Sequence, residues 1–203
     1  MLQDDKEPLK PGSPLPLAAA ANLPVVDENT AGEEVLALYQ EFHSRFGRPD
    51  IPGIVKCFAT NPVVLKSMID LAAGFLFVDG HLTRKHKEMI ATLISLQNDC
   101  PYCANSHGNS LLAQGGSPEV LCALETGALD SACFTQKEQA LLRFALKVNA
   151  ESQSITRPDV EKTTQAGWTE EQLTEAVHLA AFFAAFNRIA NAFGLPSPNP
   201  RFL

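Results

Sequence analysis

The sequence carries no surplus of positive charge. Its 203 residues include 16 Lys and Arg against 23 Asp and Glu, which gives a formal net charge of −7. Nucleic acids present closely spaced phosphates and need a basic surface, so this balance argues against a nucleic-acid-binding protein. A composition of 45% hydrophobic and 19% charged residues suits one compact domain, or two small halves that share a core.

Signals for membranes, export and disulfide frameworks are also missing. We expect no apolar run to be long enough to span a bilayer, and residues 1–10 are too polar for a secretory signal. We therefore expect a cytoplasmic protein in a reducing compartment, with neither membrane nor nucleic acid among its partners. The five cysteines are an odd number, which argues against a full disulfide framework.

Period-two alternation bounded by hairpin turns is absent, so the sequence predicts an all-α fold. Residues 1–24 contain five prolines and predict an extended arm, either a floppy tail or a segment that wraps a neighbouring subunit, ahead of one domain over 25–203. Start and stop signals predict helices over residues 31–46, 62–80, 83–99, 100–115 and 117–127, one that begins at 135, and two over 158–166 and 169–193.

The most informative feature is Cys100-Pro101-Tyr102-Cys103 followed by His107. Residues four apart share a helix face, so the imidazole can reach the Cys103 sulfur. Thiolates are the reactive form of cysteine, and the pattern therefore indicates a redox dithiol with a candidate base. A helix N-terminus favours the thiolate of Cys100, whereas His107 favours that of Cys103, so the residues alone leave the order of the two thiols open.

Glu88 precedes Cys100 by twelve residues, on the preceding predicted helix. It shares a polar stripe with Thr92, Ser95 and Asp99, and periodicity alone favours a solvent-facing stripe. The functional alternative is a carboxylate that turns inward, orients the imidazole and raises its basicity.

The remaining polar and thiol residues receive structural interpretations. Cys57, Cys122 and Cys133 have no partner at motif spacing and are predicted to be small buried hydrophobic side chains. Asn187-Arg188 interrupts an apolar run, and because buried arginine needs a partner we expect an ion pair or a subunit contact there. The last helix is apolar nearly all round and must be buried on most sides, which predicts a homo-oligomer.

Together these residues resemble the carboxymuconolactone decarboxylase superfamily, and within it the alkylhydroperoxidase D-like, or peroxidase-related, branch. The family signature is Glu, eleven residues, Cys-x-x-Cys, three residues and His, and all four positions match here. The likeness covers roughly residues 30–195, and its further matching positions are Leu82-Thr83-Arg84, Gly167-Trp168-Thr169 and Asn187-Arg188.

The resemblance implies an AhpD-like helical bundle, with a possible weak internal duplication, that assembles as homo-oligomers and performs thiol peroxidase or disulfide reductase chemistry. It implies that Cys103 reacts with peroxide, Cys100 resolves it as a disulfide, and Glu88 and His107 form a proton relay. The implied partners are a hydroperoxide and an external dithiol reductant, with no metal or flavin cofactor. Position 102 departs from the founding enzyme, which has a histidine there, because tyrosine is a poor base near neutrality.

Three alternatives stay open. Cofactor-free decarboxylation or lactone chemistry, as in the superfamily's namesake, does not depend on the cysteine pair. A zinc site made by Cys100, Cys103 and His107 lacks an evident fourth ligand, which structural zinc usually requires. The last alternative is a redox-sensing or scaffold oligomer with negligible turnover.

Overall fold

Helices make up the whole described fold, which confirms the all-α prediction. The computed structural model describes residue 17 and residues 21–197, so most of the predicted arm over 1–24 lies outside the described residues. The described chain contains no strands, and its α-helices are α1 Glu33–Phe46, α2 Gly53–Lys56, α3 Pro62–Leu71, α4 Arg84–Gln97, α5 Pro101–Ala113, α6 Pro118–Glu125, α7 Gln136–Glu151, α8 Arg157–Gln165 and α9 Glu170–Phe193.

The helix starts follow the capping signals in the sequence. The Thr83 side chain accepts a hydrogen bond from a first-turn N–H of α4, and capping boxes at Thr135 and Thr169 begin α7 and α9. Cys100 is the N-cap of α5, and Pro101 occupies the first turn, where its missing N–H has no intrahelical partner to lose. These predicted boundaries are confirmed.

Two features around α3 differ from the prediction. The helix predicted over residues 62–80 is α-helical only to Leu71 and continues as a π-helical turn, Ala72–Leu76. The short helix α2 was not predicted, because four residues are too few to show a hydrophobic period.

Helix α4 is the centre of the bundle. It packs against α5, α6, α7 and α9, and its residues 87–95 are all buried. The polar stripe therefore lies inside the protein: Glu88 is 2% exposed, and Thr92 and Ser95 are fully buried, while Asp99 beyond the helix end is exposed. The inward-facing prediction for Glu88 is confirmed. The solvent-facing interpretation that periodicity alone favours is wrong, because periodicity on one helix cannot show that neighbours cover every side of it.

Helix α9 supplies a second wall of the core. Its buried positions recur every three or four residues and include two polar side chains, Glu175 and Asn187. By length and composition α9 is the one described helix that could cross a membrane, contrary to the expectation that no segment is long enough. That is weak evidence for a span, since the core helix of a bundle meets the same criterion, and here α9 packs against α4 and α7.

Candidate active site

A buried carboxylate and an imidazole meet between α4 and α5. Oε2 of Glu88 lies 2.6 Å from Nδ1 of His107, and the imidazole stands edge-on to the Phe183 ring at 4.6 Å between centroids. The carboxylate favours the tautomer that donates from Nδ1, which leaves Nε2 available for proton transfer. The structure therefore brings these two predicted site residues together.

Arg84 binds the other carboxylate oxygen of Glu88. Its Nη2 is paired with Oε1, and its guanidinium lies 4.5 Å from the centre of the Phe77 ring. Burial raises the pKa of Glu88, but the His107 and Arg84 contacts outweigh it, so that the net pKa lies below the ordinary value. Glu88 is therefore held as a carboxylate by two partners, one of which the sequence interpretation gave no role.

The two motif cysteines lie at the N-terminus of α5 as free thiols. Cys100 and Cys103 are 1% and 4% exposed, in an apolar cluster with Cys57, Ala190 and Leu195 among others. The N–H of Cys100 donates to the carbonyl of Ser95 at 2.9 Å, which fixes the turn between α4 and α5. The pair therefore lies at a helix start inside a packed apolar cluster.

The two thiols are electrostatically unequal. A hydrogen bond from the Cys103 side chain, with smaller contributions from the Cys103 backbone N–H and the Asn187 amide, lowers the pKa of Cys100 against the opposing effect of burial. The same contact with Cys100, together with burial, raises the pKa of Cys103. The reduced pair therefore favours a thiolate on Cys100 and a thiol on Cys103, as expected at a helix N-terminus.

His107 and Cys103 share a face of α5, but the imidazole forms its hydrogen bond with Glu88 and not with the Cys103 sulfur. Within the described part of the chain its hydrogen-bond partner is Glu88, and neither motif sulfur is bonded to it. The structure therefore forms two adjacent pairs on α5, Glu88 with His107 and Cys100 with Cys103.

Tyr102, between the two cysteines, has a structural contact. Its hydroxyl accepts a hydrogen bond from the N–H of Ile54 at 3.2 Å, which ties α2 to α5. Burial raises the pKa of Tyr102 to about 12. At neutral pH the phenol keeps its proton, so it cannot replace the relay histidine as a base.

Asn187 is the functional candidate that the sequence interpretation missed. It is fully buried, donates to Ser95 Oγ at 3.0 Å, and accepts from Asn98 Nδ2 at 3.0 Å. The neighbouring Arg188 is exposed, donates to the Ala184 carbonyl and forms no ion pair within the described residues, so the expected ion pair is wrong. An amide in the middle of an apolar helix was the available signal.

The other cysteines divide by position. Cys57 is buried, as predicted, and burial raises its pKa to about 12. Cys122 is exposed and Cys133 partly exposed, so the prediction that they are buried is wrong. Across residues 17 and 21–197, no group of three or more His, Cys, Asp or Glu side chains is arranged to hold a metal ion, which gives the zinc alternative no support.

Residues 62–147 match the carboxymuconolactone decarboxylase family. This segment contains Glu88, both motif cysteines and His107, but it ends before Asn187.

Solved structures share the fold. An alkylhydroperoxidase AhpD core, an uncharacterized peroxidase-related protein from Ralstonia eutropha, is 26% identical with a TM-score of 0.78, covering 89% of this chain and 93% of that one. A peroxidase-related protein from a Silicibacter species is 23% identical with a TM-score of 0.75, covering 87% and 90%. The debrominase Bmp8 is 15% identical with a TM-score of 0.71, covering 89% and 92%, and shows likeness of fold alone.

Curated relatives are longer proteins. Mouse sestrin-3 is 26% identical over 194 residues, which cover 94% of this chain and 37% of sestrin-3. Sestrin-1 from Xenopus laevis is 25% identical over 169 residues, covering 78% of this chain and 33% of that protein. The chain therefore spans about a third of the length of these relatives.

Proposed function

We propose that the chain is a member of the alkylhydroperoxidase D-like branch of the carboxymuconolactone decarboxylase superfamily, and that it is a thiol-dependent peroxidase or disulfide reductase that reduces hydroperoxides through Cys100 and Cys103. The observation that carries the proposal is the buried pair of free thiols, Cys100 and Cys103, at the N-terminus of α5, and the lowered pKa of Cys100 agrees with it. The oriented Glu88–His107 pair on the same helix supports it by supplying a proton donor and acceptor.

In the proposed reaction, the Cys100 thiolate attacks a peroxide oxygen, so that an S–O bond forms as the O–O bond breaks. The leaving alkoxide takes a proton from the His107 imidazolium, whose charge Glu88 stabilises, and departs as the alcohol. The Cys103 thiol then condenses with the sulfenic acid, which forms the disulfide and releases water. An external dithiol restores the pair by exchange and is itself oxidised to a disulfide.

The order of the thiols is a separate part of the proposal. The resemblance implies attack by Cys103, with Cys100 resolving. The place of Cys100 as the N-cap of α5 supports the reverse order, because a helix N-terminus stabilises a thiolate, and the lowered pKa of Cys100 agrees with this. We therefore assign the first attack to Cys100.

Single-cysteine variants test both the function and the order. Cys103→Ser keeps a hydroxyl that can donate to Cys100, so we expect one turnover of peroxide and a sulfenic acid on Cys100 that dimedone traps. Cys100→Ser should lose this reaction. Trapping on Cys103 in the Cys100→Ser protein, with none in Cys103→Ser, would instead support the order that the resemblance implies. A wild-type protein that consumes no peroxide with any dithiol donor would refute the peroxidase.

Peptide mapping after mild oxidation tests the pairing. We expect a bond between Cys100 and Cys103, with Cys57, Cys122 and Cys133 left free. Cys57 is the stringent control, because it lies in the same apolar cluster as the pair. A bond that includes Cys57 while the motif cysteines stay unlinked would contradict the assignment of the redox pair.

We also propose that the functional unit is a homo-oligomer built on the outer face of α9. Two thirds of the most apolar stretch of this helix is not buried within the chain, and Ala181 and Ala185 are exposed beside the half-buried Phe182 and Phe186. A second copy of the chain would cover this face.

Light scattering at micromolar concentration should give a mass that is a multiple of the 21.9 kDa chain. Ala185→Arg should shift the mass toward the monomer, while Ala150→Arg on the exposed side of α7 should not. A wild-type monomer would refute the oligomer.

A further inference from the structure

Asn187 comes from outside the family-matched segment, yet it is built into the turn that carries the dithiol. Its Nδ2 donates to Ser95 Oγ at 3.0 Å, while the carbonyl of the same Ser95 accepts the N–H of Cys100 at 2.9 Å. One turn further along α9, Asn191 donates to the carbonyls of Asn98 and Asp99. Two successive turns of α9 therefore hold the segment that leads into Cys100.

The Asn187 amide has one N–H left to donate to the sulfurs after its bonds to Ser95 and Asn98. A side-chain amide has two N–H donors and a carbonyl. Asn98 bonds to the carbonyl, and Ser95 accepts one N–H. Ala190, on the next turn of α9, packs in the apolar cluster of Cys100 and Cys103, and the Asn187 side chain contributes a hydrogen bond to each of the two thiols.

The electrostatics agree with this geometry. Among the described residues, Asn187 is the one side chain that lowers the pKa of both Cys100 and Cys103, while burial raises the pKa of both. A neutral donor in an apolar pocket stabilises a thiolate without adding a charge that must itself be buried.

Asn149 provides a matched comparison within the same network. It exchanges hydrogen bonds with Asn98 at 3.1 and 2.9 Å and donates to Gln97 Oε1 at 2.7 Å. It therefore supports the same turn from α7, but neither motif cysteine takes a hydrogen bond from it in the described part of the chain. Removal of Asn149 disturbs the amide network and leaves the sulfur donor in place.

We infer that Asn187 is a thiolate-stabilising residue: its amide, held by Ser95 and Asn98, donates to the sulfurs of the dithiol and sets the reactivity of Cys100. The inference rests on the proposed dithiol function. It assigns to α9 a part in a site whose motif residues all lie earlier in the chain.

The test measures thiol reactivity without peroxide. The rate of iodoacetamide alkylation at Cys100 is followed against pH by peptide mass spectrometry in the full chain, in Asn187→Leu and in Asn149→Leu. We expect Asn187→Leu to move the midpoint up by about one pH unit and to slow alkylation at pH 7 about tenfold. Asn149→Leu should stay within about twofold of wild type, since its sulfur donor is intact.

Two results would overturn the inference. The first is a folded Asn187→Leu protein with the wild-type alkylation profile. The second is an equal shift in Asn149→Leu, which would assign the effect to the shared network. If Asn187→Leu does not fold by circular dichroism, Asn187→Ala replaces it, and an unshifted midpoint there overturns the inference equally.

The redox readout separates this inference from the proposed function. The reduction potential of the pair against glutathione should become more negative in Asn187→Leu, because a destabilised thiolate disfavours the reduced form. An unchanged potential counts against the inference. Peroxide turnover of the wild type is assayed in parallel, and its absence alongside a shifted alkylation profile would refute the peroxidase and leave the role of Asn187 standing.

Discussion

Two buried carboxylates, Glu88 and Glu175, differ in the partners that bind them. Glu175 on α9 binds Lys87 Nζ at 2.5 Å and the N–H of Leu82 at 2.8 Å, and the same Lys87 donates to the Phe75 carbonyl at 2.7 Å. These partners all lie within the packed structure. Glu88 instead binds Arg84 and His107, and within the described residues the imidazole keeps one ring nitrogen free.

The comparison shows that burial of a charge does not by itself mark a functional site. Lys87 and Glu88 are consecutive on α4, both 2% exposed, and point to different partners. Among the described residues, the Lys87–Glu175 pair bonds only to groups of the packed interior, and it holds α4, α9 and the π-helical turn together. In the Glu88–His107 pair, Nε2 of the imidazole can still exchange a proton, and general acid–base catalysis requires such an available atom.

Glu88→Gln should have the largest effect on turnover. The amide can still accept from His107, but it cannot stabilise the imidazolium, so peroxide reduction should fall about 10²- to 10⁴-fold. Circular dichroism should show that the variant stays folded, although it loses the part of the unfolding free energy that ionised Glu88 provides at neutral pH. Steady-state kinetics check this, and an unchanged kcat/KM would remove Glu88 from the relay.

Glu175→Gln should act on stability instead. It leaves the Lys87 ammonium buried without its counter-ion, which costs about 3–5 kcal/mol of unfolding free energy. Urea titration measures the loss, and the folded fraction should keep wild-type turnover per molecule. The paired variant Lys87→Met/Glu175→Leu removes both charges and should recover most of the stability. Selective loss of turnover in a stable Glu175→Gln protein would break the distinction between the two carboxylates.

Arg84→Met should have a smaller effect that depends on pH. Arg84 lowers the pKa of Glu88, so its removal should move the acid limb of the pH–rate profile to higher pH, with roughly twofold change at pH 7. Arg84→Lys keeps the charge and should restore most of the wild-type profile. If Arg84→Met has the same pH–rate profile as the wild type, Arg84 does not affect Glu88, and His107 alone positions it.

The pH dependence of stability should show the smallest effect. The pKa of Glu88 in the folded protein lies below the ordinary value, so its stabilisation is complete above an unfolded pKa of about 4.3 and is lost as pH falls through the folded pKa. Below about pH 4.3, Glu88→Gln should therefore lose less unfolding free energy than the wild type does. The difference should be about 1.4 kcal/mol for each pH unit between the folded and the unfolded pKa of Glu88. Parallel denaturant titrations at pH 7 and pH 3.5 check this, and an identical loss of stability in both proteins would contradict it.

Helix boundaries and the dithiol motif were predictable because their signals are local. Capping boxes at Thr135 and Thr169, and proline after Cys100, act within a single turn and need no tertiary contact. The interpretation of Glu88 as solvent-facing and the expected ion pair at Asn187-Arg188 failed for one reason. Each depends on which helices cover the residue, and periodicity on one helix carries no information about that.

The sequence by itself therefore determined the helical class, the place of Cys100 at a helix start and the common face of Cys103 and His107. Spacing along one helix fixes these relations. Only the tertiary structure decided that Glu88 points inward, that Arg84 and His107 share it, and that Asn187 on α9, 84 residues beyond Cys103, bonds to the turn that leads into the dithiol. The physical reason is burial: α4 is enclosed by helices from both halves of the chain, and in that apolar interior each polar group must find its partner across the bundle.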